Sequence, residues 1–132
     1  MNLAAAANPI PCLIAAVLAF GFGFFWHRTF ERRWMTAPGY AARPALKLAP
    51  LVVVFIAYFV VAEMLSGLTA HIGGITLANA FVNALLVWAG FVLATMVVDH
   101  SFEARPRKLT LVNAGHWLGV FVIMAVVIGL SG

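Results

Sequence analysis

Four long apolar segments, separated by short polar breaks, make up most of the chain. They cover about residues 10–26, 46–68, 77–98 and 109–130. A helix rises about 1.5 Å per residue, so a run of about 20 apolar residues spans the roughly 30 Å of bilayer hydrocarbon. Backbone polar groups in lipid must bond within their own segment, which a helix achieves. The pattern therefore predicts an all-α integral membrane protein with four transmembrane helices.

The composition is typical of burial in lipid rather than in a water-soluble core. Of the 132 residues, 64% are hydrophobic and 9% are charged, whereas a soluble domain carries about 25% charged residues. No polar stretch is long enough to form a second domain. We therefore predict a single transmembrane domain over residues 1–132, with the lipid bilayer as its surroundings.

The cations lie in or beside two of the polar breaks, residues 27–45 and 99–108. They are Arg28, Arg32, Arg33, Arg43, Lys47, Arg105, Arg107 and Lys108. Because positive residues near a span stay in the cytoplasm, both breaks are predicted to be cytoplasmic loops. Both termini are then non-cytoplasmic, and the helices form an up-down-up-down bundle. The net charge of +4 follows from this topology signal, so we expect no nucleic-acid binding.

Signatures of enzymatic chemistry are missing from the sequence. It has no nucleophile motif, Gly-rich phosphate loop, metalloprotease helix or paired catalytic carboxylates. Its one cysteine, Cys12, excludes an intramolecular disulfide and a thiolate metal cluster. We therefore predict a protein that is not an enzyme and holds no cofactor or metal.

Polar side chains inside the apolar segments are the natural candidates for function, because such groups are costly in lipid. They are Glu63, Asn79, Asn83, Asn113 and His116. Glu63 is either a proton or cation site or a residue bonded to a neighbouring helix. Asn79 and Asn83, four residues apart, share a face that continues through Leu86, Gly90 and Ala94 and should face protein. The two amides either line a polar cavity or form interhelical hydrogen bonds.

Histidines approach the membrane from the predicted cytoplasmic side. His116 lies about two turns inside the fourth segment, one turn beyond Asn113, and His27 and His100 lie at the same side. A histidine at this depth could ligate haem or a metal, or relay protons. However, no His-x-x-x-His or Glu-x-x-His pair within one helix organises a metal site.

The last polar break has a dense mixture of charges. It contains Asp99, His100, Glu103, Arg105, Arg107 and Lys108. An ion-paired cap between the third and fourth helices is the structural interpretation. A cytoplasmic docking surface, or capture of anionic lipid headgroups at about 1 kcal/mol per charge, is the functional one.

The same region carries a family resemblance. Phe102-Glu103-Ala104-Arg105-Pro106, Lys108-Leu109 and Val112-Asn113-Ala114-Gly115-His116-Trp117 resemble the Phe-Glu-Gly-Arg-Pro and Asn-Ala-Gly-Tyr elements of DUF1761. Ala104 stands in place of the usual Gly and His116 in place of the usual Tyr, and Trp26 and Trp34-Met35 agree more loosely. The resemblance implies a small four-helix protein of a bacterial plasma (inner) membrane, with no known reaction. It also implies a hairpin fixed by a buried Glu103–Arg105 pair with Asn113 as cap.

Three functions stay open at this point. The leading one is a non-enzymatic accessory or assembly subunit that acts through helix–helix contacts, either as a homo-oligomer or with other membrane protein subunits. The first alternative is a small homo-oligomeric transporter or channel for protons or small solutes, using Glu63 and the Asn79/Asn83 stripe. The second alternative is a membrane component that binds a cofactor through His116.

Overall fold

The computed structural model describes residues 8–30 and 47–132, and these residues form four long helices without strands. We call them α1 (Ile10–Thr29), α2 (Leu48–His71), α3 (Leu77–Phe102) and α4 (Arg107–Ser131). All four are long and apolar enough to cross a membrane. Among the described residues, the all-helical prediction and the prediction of four helices able to cross a membrane are therefore confirmed. Most of the predicted first loop, including Arg32, Arg33 and Arg43, lies outside the described residues.

The helices pack as a ring in sequence order. α4 packs extensively against α1 and against the first part of α3, α1 packs against α2, and α2 packs against the first part of α3. The diagonal pair α2 and α4 touches more sparsely. α4 is the most buried of the four, so it forms the centre of the packing.

Small residues allow these helices to approach closely. α1 turns Ala15, Ala16 and Ala19 into the core, each fully buried. In lipid the helices gain little from the hydrophobic effect, so close van der Waals packing between small residues is a main source of association. At the end of the bundle where α1 begins, a Cβ on Gly129 of α4 would lie 2.7 Å from Cα of Leu77. Glycine at this position thus brings α4 against the backbone of α3.

α3 is not a uniform α-helix. It has a π-helical turn at Trp88–Leu93 between the α-helical parts Leu77–Val87 and Ala94–Phe102. Buried residues occur only before this turn. After it, α3 packs against α4 but has no extensive contact with α2. The second half of α3 therefore stands at the edge of the bundle.

Two tight turns connect the helices that the structure describes in full. After α2, Gly73 and Gly74 both have φ of +90°, and Gly74 N–H donates to Thr69 O at 3.1 Å. After α3, Ala104 has φ of +53°, and Arg105 N–H donates to His100 O at 2.9 Å. In both turns the residue after the helix end adopts the left-handed conformation, which closes the last carbonyls of the helix.

Candidate functional site

A buried hydrogen bond joins α2 and α4 in the interior of the bundle. Tyr58 Oη and His116 Nε2 are 2.7 Å apart, and the two residues are 5% and 4% exposed. Both groups lie deep in their spans, because Tyr58 is ten residues from the start of α2 and His116 nine residues from the start of α4, or about 14–15 Å of helical rise. The pair satisfies two polar groups that lipid could not satisfy.

The absence of a side chain on α1 makes room for this pair. A Cβ on Gly23 would lie 2.5 Å from Tyr58 Oη and 3.0 Å from His116 Nε2. Contacts as short as the first are not tolerated between carbon and oxygen, so any larger residue at position 23 would displace the hydroxyl. Gly23 is therefore part of the site.

Aromatic rings surround His116. The His27 ring centroid lies 4.7 Å from that of His116, and the Trp117 ring meets His116 edge-on at 5.2 Å. Phe22 stacks nearly parallel to the imidazole, with centroids 6.3 Å apart. The negative faces of such rings favour a neighbouring cation. The face of Phe22 thus offsets part of the cost that burial imposes on a charged imidazole.

Glycines of α4 make space for the rings that α1 contributes. A Cβ on Gly115 would come within 2.9 Å of the Trp26 ring, and one on Gly119 would overlap the Phe22 ring. The two glycines are four residues apart and so share one face of α4. This face receives the aromatic side of α1 against His116.

Two tryptophan side chains form hydrogen bonds from neighbouring helices to the backbone of α4. Trp26 Nε1 on α1 donates to Val112 O at 3.0 Å, and Trp88 Nε1 on α3 donates to Ala114 O at 3.0 Å. Trp88 opens the π-helical turn. The accepting carbonyls lie four and two residues before His116 on α4. Both sides of α4 are therefore held close to the site.

Glu63 lies apart from His116, nearer the other end of α2. Its side chain is beside the Cys12 thiol of α1, which Ser66 also approaches. Its Oε1 atom is buried and has no hydrogen-bond partner among residues 8–30 and 47–132. The Glu63 side chain thus packs against α1 rather than lying on the outer surface of the bundle.

Asn79 and Asn83 have different environments, although they share a face. The Asn79 side chain donates to Gly74 O at 3.0 Å and so holds the turn between α2 and α3. Asn83 is 5% exposed, and its Nδ2 has no partner in the part of the chain that the structure describes. The rest of the stripe, Leu86, Gly90 and Ala94, is exposed instead of facing protein of the same chain.

The charged hairpin between α3 and α4 differs from the expected buried cap. Arg105 Nε and Glu103 Oε2 pair at 2.8 Å, but their side chains are 38% and 53% exposed. The expectation of a buried pair is therefore wrong, because both residues lie in the turn outside the packed helices. His100 Nδ1 and Thr110 Oγ1 are 2.6 Å apart and join α3 to α4. Asp99 is exposed, and Asn113 is half-buried.

A comparison of the chain with protein-family models tests the family resemblance. The family model described as "Protein of unknown function (DUF1761)" matches residues 10–129. The chain belongs to this family. No curated protein and no solved structure matches it. The match runs from the first residue of α1 almost to the end of α4, so it includes all four helices of this DUF1761 chain.

Sequence reasoning missed Tyr58, which this DUF1761 chain uses as the partner of His116. A signal was present, since the chain has two tyrosines and Tyr58 is the one inside an apolar segment. A phenol hydroxyl in lipid needs a partner as much as an amide does. His27 was named only as a residue on the same side, and the structure places it against His116. His100 does not join them. Among the described residues, no three of His, Cys, Asp and Glu could hold a metal ion.

Proposed function

We propose that this protein is a non-enzymatic subunit of a membrane complex and that it binds a transmembrane helix of another protein through α3. The observation that carries the proposal is the asymmetry of α3. Its first part packs into the bundle, whereas none of the residues from Trp88 to Phe102 is buried. A helix of a second protein can cover the face of α3 that this chain leaves exposed.

The exposed part of α3 has the features of a helix-packing surface. Gly90 and Ala94 lie one turn apart and both face outward, and no atom lies within 4 Å of a Cβ built on Gly90. Small residues at this spacing let a second helix approach closely. Gly90 also belongs to the π-helical turn, and such turns occur frequently at functional sites.

A matched pair of glycine variants tests this proposal. Gly21 on α1 is exposed with equally open space, so Gly21→Leu adds the same bulk on a face that should not bind. We expect native mass spectrometry of gently extracted wild-type protein to show a complex with a second protein. Gly90→Leu should lose the partner and Gly21→Leu should keep it. A partner that survives Gly90→Leu, or a homo-oligomer alone, would contradict the proposal.

We further propose that the protein is a multi-pass protein of a bacterial plasma (inner) membrane with its cationic loops in the cytoplasm. The support is the distribution of Lys and Arg, which avoids the turn between α2 and α3. A reporter that is active only outside the cytoplasm should work when fused at the C-terminus. The same reporter inserted in the hairpin between α3 and α4 should be inactive, and the reverse result would invert the topology.

A transporter or channel for protons or small solutes is the second candidate. It is favoured by Glu63 Oε1 and Asn83 Nδ2, which are buried without a hydrogen-bond partner among the described residues. Glu63 is eight residues from the end of α2 and Asn83 six from the start of α3, so both lie about 9–12 Å from the same turn. Proteoliposomes loaded with a pH dye would test it. Glu63→Gln should abolish proton flux, while Glu103→Gln, which alters an exposed carboxylate, should not. Wild-type vesicles without flux would exclude proton transport.

A further inference from the structure

Three titratable side chains form a continuous series from the end of α1 to the interior of the bundle. His27 lies in the last turn of α1 and is half-buried. Its ring packs on that of His116, and His116 bonds to Tyr58. Side chains lean toward the N-terminus of their helix. Because α1 and α4 are antiparallel in the bundle, His27 leans inward and His116 leans toward His27.

The space at this series limits what it can bind. The pair of His116 and Tyr58 is almost fully buried, and Gly23 leaves no room for one additional carbon atom between the helices. A metal ion requires three or four converging ligands, and the described residues supply no such group. A proton is the ligand that fits without separating the helices.

We propose that His116 is a proton-binding site that is loaded through His27, with Tyr58 as its hydrogen-bond partner. When His116 is neutral and its Nε2 is unprotonated, the Tyr58 hydroxyl donates to that nitrogen. Addition of one proton to His116 makes both ring nitrogens donors, so Nε2–H then donates to Tyr58 Oη. No covalent bond between heavy atoms breaks, and loss of the proton restores the first arrangement.

The surroundings decide how many protons the site holds. The titratable groups that face His116 are His27 from α1 and Tyr58 from α2, while α3 brings the indole of Trp88 to this level. Phe22 presents its ring face to the imidazole, and a ring face attracts a neighbouring cation. Two positive charges on rings this close repel each other, so His27 and His116 share a single proton.

NMR titration of protein labelled at histidine nitrogens and tyrosine side chains tests the proposal in lipid nanodiscs. We expect reversible protonation of His116 in coupled steps with His27, together with a change of the Tyr58 signal at the same pH. His27→Gln should leave a single step at His116. His116→Gln, which keeps a hydrogen-bonding side chain, should remove the Tyr58 response.

A histidine at a distant position provides the control. His71 is exposed at the end of α2 and bonds to Gly67 O, so His71→Gln removes one imidazole without touching the site and should leave the Tyr58 response intact. The proposal is overturned if His116 stays neutral over the whole pH range in which the bundle is folded. It is also overturned if His116 titrates identically in wild type and His27→Gln. Neither result would bear on binding of a partner at α3.

Discussion

Ala104 is a residue whose side chain conflicts with its backbone. Its φ of +53° lies in the left-handed region, where an L-residue with a Cβ costs roughly 1–2 kcal/mol. The DUF1761 motif that this turn resembles has Gly at the same place, which pays no such cost. The equivalent position after α2 is Gly73, with φ of +90°. The structure thus explains the family glycine as the residue that ends α3.

Ala104→Gly should therefore stabilise the protein. We expect a gain of about 0.5–1 kcal/mol, because relief of the backbone strain exceeds the extra chain entropy of glycine. Ala94→Gly is the matched control, since Ala94 has helical φ of −63°, and there the change should cost about 1 kcal/mol. Unfolding by denaturant in detergent measures both. Equal losses in the two variants would contradict the strain at Ala104.

Gly23 and Tyr58 should be energetically coupled. Gly23→Ala places a Cβ 2.5 Å from Tyr58 Oη, so it should cost about 1–3 kcal/mol of stability, as overpacking does. In a Tyr58→Phe background the hydroxyl is gone, the ring at position 58 is 3.5 Å from the Cβ, and the closest remaining atom is His116 Nε2 at 3.0 Å. The same alanine should then cost clearly less. A double-mutant cycle measures this coupling, and additive losses would show that the hydroxyl is not what Gly23 accommodates.

At the scale of the helix, the sequence predicts that four helices form but not the irregular turn within α3. Long apolar runs predicted all four helices, because hydropathy alone decides whether a segment prefers lipid. The π-helical turn in α3 could not be predicted, since nothing in residues 88–93 differs from an ordinary apolar helix. Its first residue, Trp88, donates to Ala114 O of α4, and this tertiary contact cannot be seen in the sequence.

The candidate site shows the same limit. His116 was identified from its polarity in an apolar run, but the pairing with Tyr58 depends on which faces of α2 and α4 meet. That choice follows from Gly23, Gly115 and Gly119, which admit the hydroxyl and two rings of α1. From the local sequence, each glycine is simply a weak helix former. The side chain that packs against it lies on another helix. The prediction that the Glu103–Arg105 pair is buried was wrong for a related reason. The pattern of charges along the sequence does not specify how deeply a side chain lies in the bundle.

Removing one residue from the π-helical turn should be tolerated better than removing one from the α-helical part that follows. A π-helical turn holds one residue more than an α-helical turn, so deletion of Phe91, which is exposed, restores α-helical spacing and leaves the part after it facing the same way. Deletion of Val98, also exposed, rotates the end of α3 by about 100°, and His100 would then leave Thr110, to which it bonds at 2.6 Å. We expect unfolding by denaturant in detergent to show a smaller loss of stability for the Phe91 deletion than for the Val98 deletion. Equal losses would show that the turn does not hold an extra residue.

At the scale of the whole molecule, an extensive contact joins the two helices that lie farthest apart in the sequence. α4, the last helix, packs extensively against α1, the first, and both also contact a sequence neighbour. A large interface of the bundle therefore joins two helices that no turn connects directly. This interface includes the Trp26 hydrogen bond, the rings packed on Gly115 and Gly119, and the contact between His27 and His116.

The chain should consequently assemble from two separate hairpins. When fragments 1–74 and 75–132 are expressed together, each inserts as two spans, and packing between preformed helices then associates them. We expect the fragments to copurify in mild detergent, because the α1–α4 interface is intact although the turn is cut. Gly119→Leu in the second fragment should abolish copurification, since its side chain would occupy the place of the Phe22 ring. Gly90→Leu, on the outward face of α3, is the control and should not. Fragments that fail to associate in the wild type would show that the turn after α2, held by Gly73, Gly74 and Asn79, contributes more than the interface.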